Sequence, residues 1–545
     1  MRLTQLLAIA FCLLLFSSLT KAQTNTDLGE IHGNFQADVQ YYRIDTLIGA
    51  PIVPEKVLSN GFMNLVYTRG AFNAGVRYES YLNVMQGFDP RFRGTGIQFR
   101  YATYTIEGLE VTAGNYYEQF GSGLILRAYE ERGLGFDNVF DGVRVRYAPA
   151  KGIYLKGMIG RQRSFFTQGP GIVRGLDGEI NINEAFPALE EMKTQFIFGS
   201  SFVSRFQRDE DPFFNLPENV GAHEYRINVI AGKWNILAEY AYKINDPNAV
   251  NGLIYRPGQA LLLTTTYSKK GLGLILSAKR LDNMDFRSDR TATGNNLNIN
   301  FLPALTRQHT YNLPATIYPY ATQPNGEMGF QGELNYKIKK GTALGGKYGT
   351  DITINLAGAN GIDRQPTDND TLGYTSDFFK IGREVYFRDY HIEVFKRFSK
   401  KVKGTFMYLY WVYNKDVVQG LTGFGTIYAH MGVVDLTYKF TEQKALRGEV
   451  QILTTQQDDG SWAMALLEYT VAPHWFVALI NQYNYGNPVE EKRLHYPIAS
   501  LGYTNKANRI MLMVGRQREG IFCVGGVCRN MPASNGVTLS ITSSF

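Results

Sequence analysis

The sequence predicts an all-β fold, a transmembrane antiparallel β-barrel of about 22–24 strands. Three observations predict it. Segments of roughly ten residues alternate apolar and polar side chains from about residue 30 to the C-terminus. Short and long connectors alternate between those segments. The chain ends in a strand that closes on Phe545. Period two puts each face of a strand in a different environment. Tight turns at one end and long loops at the other describe an outer-membrane barrel.

The composition agrees. Tyr and Phe number 35 and 34, Gly 56, and charged residues make up only 19%. The aromatic content excludes a disordered chain. The longest apolar run, Leu6 to Phe16, is too short to span a bilayer as a helix. It suits a secretory signal peptide instead: Arg2 precedes it, and Thr20-Lys21-Ala22 follows as a cleavage site. The expected division is therefore 1–22 signal peptide and 23–545 outer-membrane β-barrel. Cleavage removes Arg2 and Lys21, so the net charge falls from +7 to +5. Cys523 and Cys528, flanking Val-Gly-Gly-Val, then remain in an oxidising space and are expected to pair as a disulfide.

Along the chain, Ile97-Gln98-Phe99-Arg100-Tyr101 alternates in the expected way, as do Val143 to Tyr147, Gly332 to Ile338, Val434 to Phe440 and Leu446 to Ile452. Short connectors are read at Glu107-Gly108, Pro149 to Gly152, Gly232-Lys233, Lys269 to Gly271, Lys339 to Gly341, Ser399 to Lys401 and Asn505-Lys506. Long ones are read near 118–138, 163–193, 281–327, 355–383 and 415–428. In the last strand Val537, Leu539, Ile541 and Phe545 share a face, and a terminal Phe resembles the signal read by outer-membrane assembly machinery. A bacterial barrel has an even strand number. The segments total either 22 or 24, depending on whether Gln195 to Phe206 is a loop or a strand with a hidden partner. A periplasmic β-sandwich shares the period-two pattern and is the rival fold. Only Gln23 to Gly29 precede the first strand, Ile31 to Tyr41, so the plug domain of a TonB-dependent transporter is not expected.

The face opposite the apolar one should line the lumen. Its candidate cations are Arg77, Arg100, Arg144, Arg146, Arg226, Lys337, Lys347, Lys439 and Arg447. Its candidate anions are Glu79, Glu239, Glu333, Glu393, Asp435, Glu449 and Glu468. Such a mixed lattice gives little selectivity for one sign of ion. The segment Gly114 to Tyr147 is the candidate constriction. It carries Glu118, Arg127, Glu130, Glu131, Arg132, Asp137 and Asp141 among Gly121, Gly123, Gly133 and Gly135, and Leu124 to Glu131 could form a short helix. It could fold inward or cap the barrel from outside. The apolar runs Leu302 to Leu305 and Ile317 to Tyr320 could pack on a partner or on the barrel mouth.

GNYYEQFGSG, followed by LRAYEERGLG and DNVFDGVRVRY, resembles a family of uncharacterised outer-membrane barrels of Bacteroidota. The resemblance implies a porin-like barrel and no established reaction. The residues themselves offer no catalytic constellation. The seven His are scattered, no HExxH or GxSxG occurs, and His391 and Glu393 share a face with nothing to complete a triad. No enzyme activity, cofactor, metal or nucleic-acid partner is expected. The expected partners are outer-membrane lipid, the assembly machinery for insertion, and other outer-membrane proteins. Two functions from different classes remain open: a passive channel for small polar solutes, and an accessory barrel in a secretion or assembly complex.

Overall fold

Residues 28–368, 371–524 and 527–545 are described in a computed structural model, without side chains over 521–530. The expected signal peptide, the Gly525-Gly526 turn and the Cys523 and Cys528 thiols fall outside the described residues. Twenty-four strands form one closed antiparallel sheet. Each pairs with its neighbour in sequence, and Glu30–Arg43 pairs with Ser534–Ser544 to close the ring, Asn34 facing Ser544. The two ends of the barrel therefore meet at one rim, here the lower rim, as an even strand number requires.

The connections alternate around the ring. Two-residue turns such as 70–71, 107–108, 151–152, 232–233, 270–271 and 506–507 sit at the lower rim. The upper rim carries 44–56, 83–93, 117–139, 207–218, 244–257, 283–325, 484–494 and 518–533. Three sequence readings need correction. The stretch 163–193 is mostly strand, and only 182–193 is a connection, at the lower rim. Ile153–Ser164 and Thr167–Asn181 pair as a hairpin, and Thr194–Phe206 pairs on both sides, which gives 24 strands. Most of 355–383 is strand, within Thr350–Pro366 and Tyr374–Arg397. The turn read at Lys339 to Gly341 extends over 339–349, so Lys347 lies in a lower connection and not on the lumen face.

Over most of the wall the two faces differ in polarity. Outward side chains such as Leu176, Tyr225, Leu276 and Leu479 are exposed and apolar. Inward ones meet the long loops. At the seam, Gly33 and Phe545 exchange backbone hydrogen bonds of 2.9 and 3.0 Å. A Cβ on Gly33 would stand 2.5 Å from the Phe545 ring, so the last side chain needs this glycine to lie flat on the wall.

Candidate functional site

Two upper-rim loops turn inward and fill much of the lumen. In the first, 117–139, the side chains of Phe120, Leu124, Ile125 and Leu126 are fully buried. They pack on inward Met158, Val173, Val203, Ala241 and Leu262. Burying four such side chains is worth roughly 6–12 kcal/mol, at about 1.5–3 kcal/mol each. Leu124 to Glu131 is not helical. Its backbone groups are spent elsewhere: Phe120 N–H donates to Leu126 O (3.1 Å), Arg127 N–H to Ile299 O (2.8 Å) and Ala128 N–H to Glu118 O (2.9 Å). The loop is thus tied to itself and to the second loop.

The wall is shaped to receive it. Val173 and Asp177 face inward, so Gly171 and Gly175 on the same strand do too. A Cβ on Gly175 would lie 2.8 Å from the Phe120 ring, and one on Gly171 would lie 1.8 Å from Ser288 O. Gly121, at φ +51°, passes over two buried carboxylates, and its Cβ would meet Glu224 Oε1 at 2.1 Å and Glu239 Oε1 at 2.7 Å. Glu239 accepts from Ser122 N–H at 2.9 Å.

Charge fastens the loop at both ends. Arg77 reaches Glu79 (2.7 Å), Glu130 (2.9 Å) and Asp137 (2.8 Å). Arg163 reaches Glu79 (2.6 Å) and Asp137 (3.0 Å), and Arg132 reaches Glu130 (3.1 Å). Burial pushes the Asp137 carboxyl up, and Arg163 and Arg77 only partly offset it. At the other end Glu118 meets Arg146 (2.9 Å) and Lys156 (3.4 Å). Burial alone would raise its carboxyl, but those cations hold it below the ordinary value.

The second loop, 283–325, packs into the opposite half. Leu313, Tyr318 and Tyr320 are buried against Phe387, Leu409, Trp411 and Tyr413. His309 lies 2.8 Å from Asp389. Leu305 and the Ile317 to Tyr320 run thus pack on the chain's own barrel. The third loop, 518–533, touches both others through 132–134 and 312–316. Arg518 donates to Gln482 (3.0 Å) and to Thr316, over the Trp462 ring. Burial lowers it to about 10.

A cavity of about 780 Å³ remains between the loops and the strands from Thr426 to Tyr483. Glu131, Tyr311, Asn312, Asp435, Arg447 and Glu449 line it with Met464, Leu466 and Ile480. Arg447 pairs with Asp435 at 3.1 Å and also with Glu449.

Most of the expected lumen residues share this inward face. Glu333 meets Arg307 of the second loop at 3.5 Å, and Lys337 meets Asp351 at 2.9 Å. Arg144 reaches Glu110 at 2.6 Å, and Arg226 reaches Asp177 at 2.8 Å. Glu393 meets Arg307 at 3.4 Å, while Glu468 lies opposite Arg447. Arg127 stacks on Tyr129 and Phe301 (4.6 and 4.0 Å). Besides Lys347, Arg100 of the expected lumen residues and Asp141 of the expected constriction are placed otherwise. The register slips between Arg77 and Tyr78, so Phe99 stands opposite Arg77 and shares its inward face. Arg100 therefore points outward, and it pairs with Asp141 at 3.2 Å. Asp141 lies on the strand Phe140–Ala150, one residue out of phase with inward Arg144 and Arg146, not in the loop.

Several buried charges were missed. Glu224 lies two residues before Arg226 on one face, so the same alternation would have found it. Lys279–Glu327 (2.8 Å) and Arg205–Asp246 (2.9 Å) carry weaker signals, because Lys279 and Arg280 are adjacent cations and Asp246 lies beyond its strand.

A family model described as a family of unknown function (DUF6029) matches residues 3–545. No curated protein matches the sequence. Among solved structures, the chain is similar to the siderophore receptor PirA from Pseudomonas aeruginosa, at 9% identity over 94% of this chain and 80% of that one, with a TM-score of 0.42. It is similar to the translocation pore of the P pilus usher PapC (9%, 94% and 99%, TM-score 0.38). It is also similar to OccK5 (OpdH) from Pseudomonas aeruginosa (9%, 94% and 98%, TM-score 0.34).

Proposed function

Because the chain belongs to the DUF6029 family, whose function is unknown, we propose a function from the geometry: a loop-constricted channel of the outer membrane that passes small polar solutes with weak ion selectivity. The outward apolar face supports a membrane wall, and the leader at 1–22 would direct export. The observation that carries the reading is the cavity beside the plug, where Asp435, Arg447 and Glu449 pair their charges along one wall, next to Met464, Leu466 and Ile480. Paired charges keep such a cavity wet while leaving little net field. Single-channel recording of the refolded barrel in planar bilayers tests it. The full chain should give a small, weakly selective conductance, and deletion of 119–136 a much larger one. No current from either protein would refute the channel.

A second reading, an accessory barrel of a multi-protein complex, draws support from how firmly the loops are fastened. Co-purification of stoichiometric partners in mild detergent, together with no current from the full chain, would favour it.

A further inference from the structure

The hairpin of Thr350–Pro366 and Tyr374–Arg397 continues past the rim. Its register shifts at Ala359/Asn360, Asn360/Ile362 and Ile362/Arg364. Extra residues of this kind bend and twist a strand pair. The bent arm lies on the outside of the barrel. Tyr240, Leu261 and Arg280 stand opposite one another on three successive strands. The next row, Glu239, Leu262 and Lys279, faces the loops inside, so the Tyr240 row faces out.

Phe378 of the arm packs on this outer row, 6.5 Å from the Tyr240 ring and 4.6 Å from the Arg280 guanidinium. Asp282, on the same outer face, accepts from Tyr374 (2.6 Å) and Ser376 (2.5 Å) of the arm, and from Arg256 (2.9 Å) and Arg280 (3.2 Å). Arg280 and Asp282 are only 3% and 1% exposed, although their strand face is the outer one. Beyond this contact the arm presents Phe379, 83% exposed, and Ile381, 58% exposed, among exposed Asp377, Arg383 and Lys380, the last paired with Asp363 at 2.9 Å.

The height of the contact matters. Trp234 begins the strand that carries Tyr240, near the lower rim, where it packs against Tyr267. Six residues of a tilted strand rise roughly 15 Å, within an apolar band about 25 Å tall. Bare charges on that face would meet hydrocarbon, which is costly.

We propose that this arm is a lipid-immersed strap: it covers the Arg280–Asp282 pair and sends Phe379 and Ile381 into the hydrocarbon of the long-loop leaflet. The proposal rests on the outer-membrane reading, so the test separates the two. A nitroxide is attached at Phe379→Cys, Leu276→Cys or Phe213→Cys in the mature chain carrying Cys523→Ser and Cys528→Ser, reconstituted in phosphatidylcholine vesicles. Leu276 lies on the outer wall and Phe213 in an upper loop. Collision with oxygen is compared with collision with a water-soluble nickel chelate. The strap predicts an oxygen-to-nickel ratio at site 379 several-fold above that at 213 and close to that at 276. A water-like ratio at 379 with an oxygen-rich 276 overturns the strap, including the case in which a protein partner covers the arm. Water-like ratios at both overturn the membrane reading itself.

Discussion

Replacing Arg77 by Met should undock the first loop without unfolding the barrel. Arg77 and Arg163 hold Glu79 and Asp137 between them, and Arg77 shares Glu130 with Arg132. Three guanidinium groups thus face three carboxylates, and Arg77 is 4% exposed. Its removal leaves one buried negative charge in excess. Breaking a buried ion pair from one side costs about 3–5 kcal/mol. Two features favour the low end: Arg163 still touches two of the acids, and Asp137, already raised by burial, can take up a proton. A loss of about 3 kcal/mol is a roughly hundredfold rise in the ratio of undocked to docked loop, at 1.4 kcal/mol per decade. Single-channel records should show that rise as time in a larger conducting level. Adding Glu79→Gln should recover part of it, since the charges then balance again. An unchanged level distribution, with the barrel still shifting on heated gels, would mean that the apolar contacts alone hold the loop and that the ion cluster is dispensable.

Four further outcomes are expected. Gly121→Ala should also favour the larger level, because its Cβ would stand 2.1 Å from Glu224 Oε1 at a φ of +51°; a docked loop in this variant would show the Glu224 side chain to be free to move. Gly33→Leu should lower the yield of heat-modifiable barrel on refolding, because the new side chain collides with the Phe545 ring. The Glu118 carboxyl is depressed in the folded state, so it stabilises docking fully above the ordinary value of 4.5 and loses that effect as pH falls from there through its lower folded value; docking, read as current level, should hold from neutrality down to about 4.5 and weaken below it, and Glu118→Gln should remove this component. The chain purified from the outer membrane should be two hydrogens lighter by intact mass than its reduced form, and equal masses would refute a Cys523–Cys528 bond.

The wall was legible in the sequence because alternation, turn chemistry and parity are local signals. Val143 to Tyr147 and Leu446 to Ile452 fall on the faces expected of them. The strand Thr167–Asn181 was not legible, for a physical reason. Its Gly171 and Gly175 read as loop residues, yet they are there because Ser288 and Phe120 press on them from inside. Only a fold that already contains the plug explains that composition. Arg100 was misplaced by the slip opposite Arg77, where one added residue reverses the phase of everything on one side of it. The inward turn of 117–139 was one of two open readings, since charge and glycine content suit both a constriction and a cap. What decides it is the complementarity of Arg77 and Arg163, 86 residues apart (163 − 77), which no single segment displays.

The seam between Glu30–Arg43 and Ser534–Ser544 sets the timing of folding. Asn34 and Ser544 are 510 residues apart (544 − 34), so their pairing is the most remote contact between strands. Every other strand can zip onto its predecessor as a hairpin, but this pairing must wait until Ser534–Ser544 has been made. Until then the growing sheet carries two open edges, each a template for pairing with another molecule. Phe545 then settles over Gly33 and covers the seam. A truncated or stalled chain has no last strand to offer, keeps both edges bare, and is left open to proteases and to its neighbours.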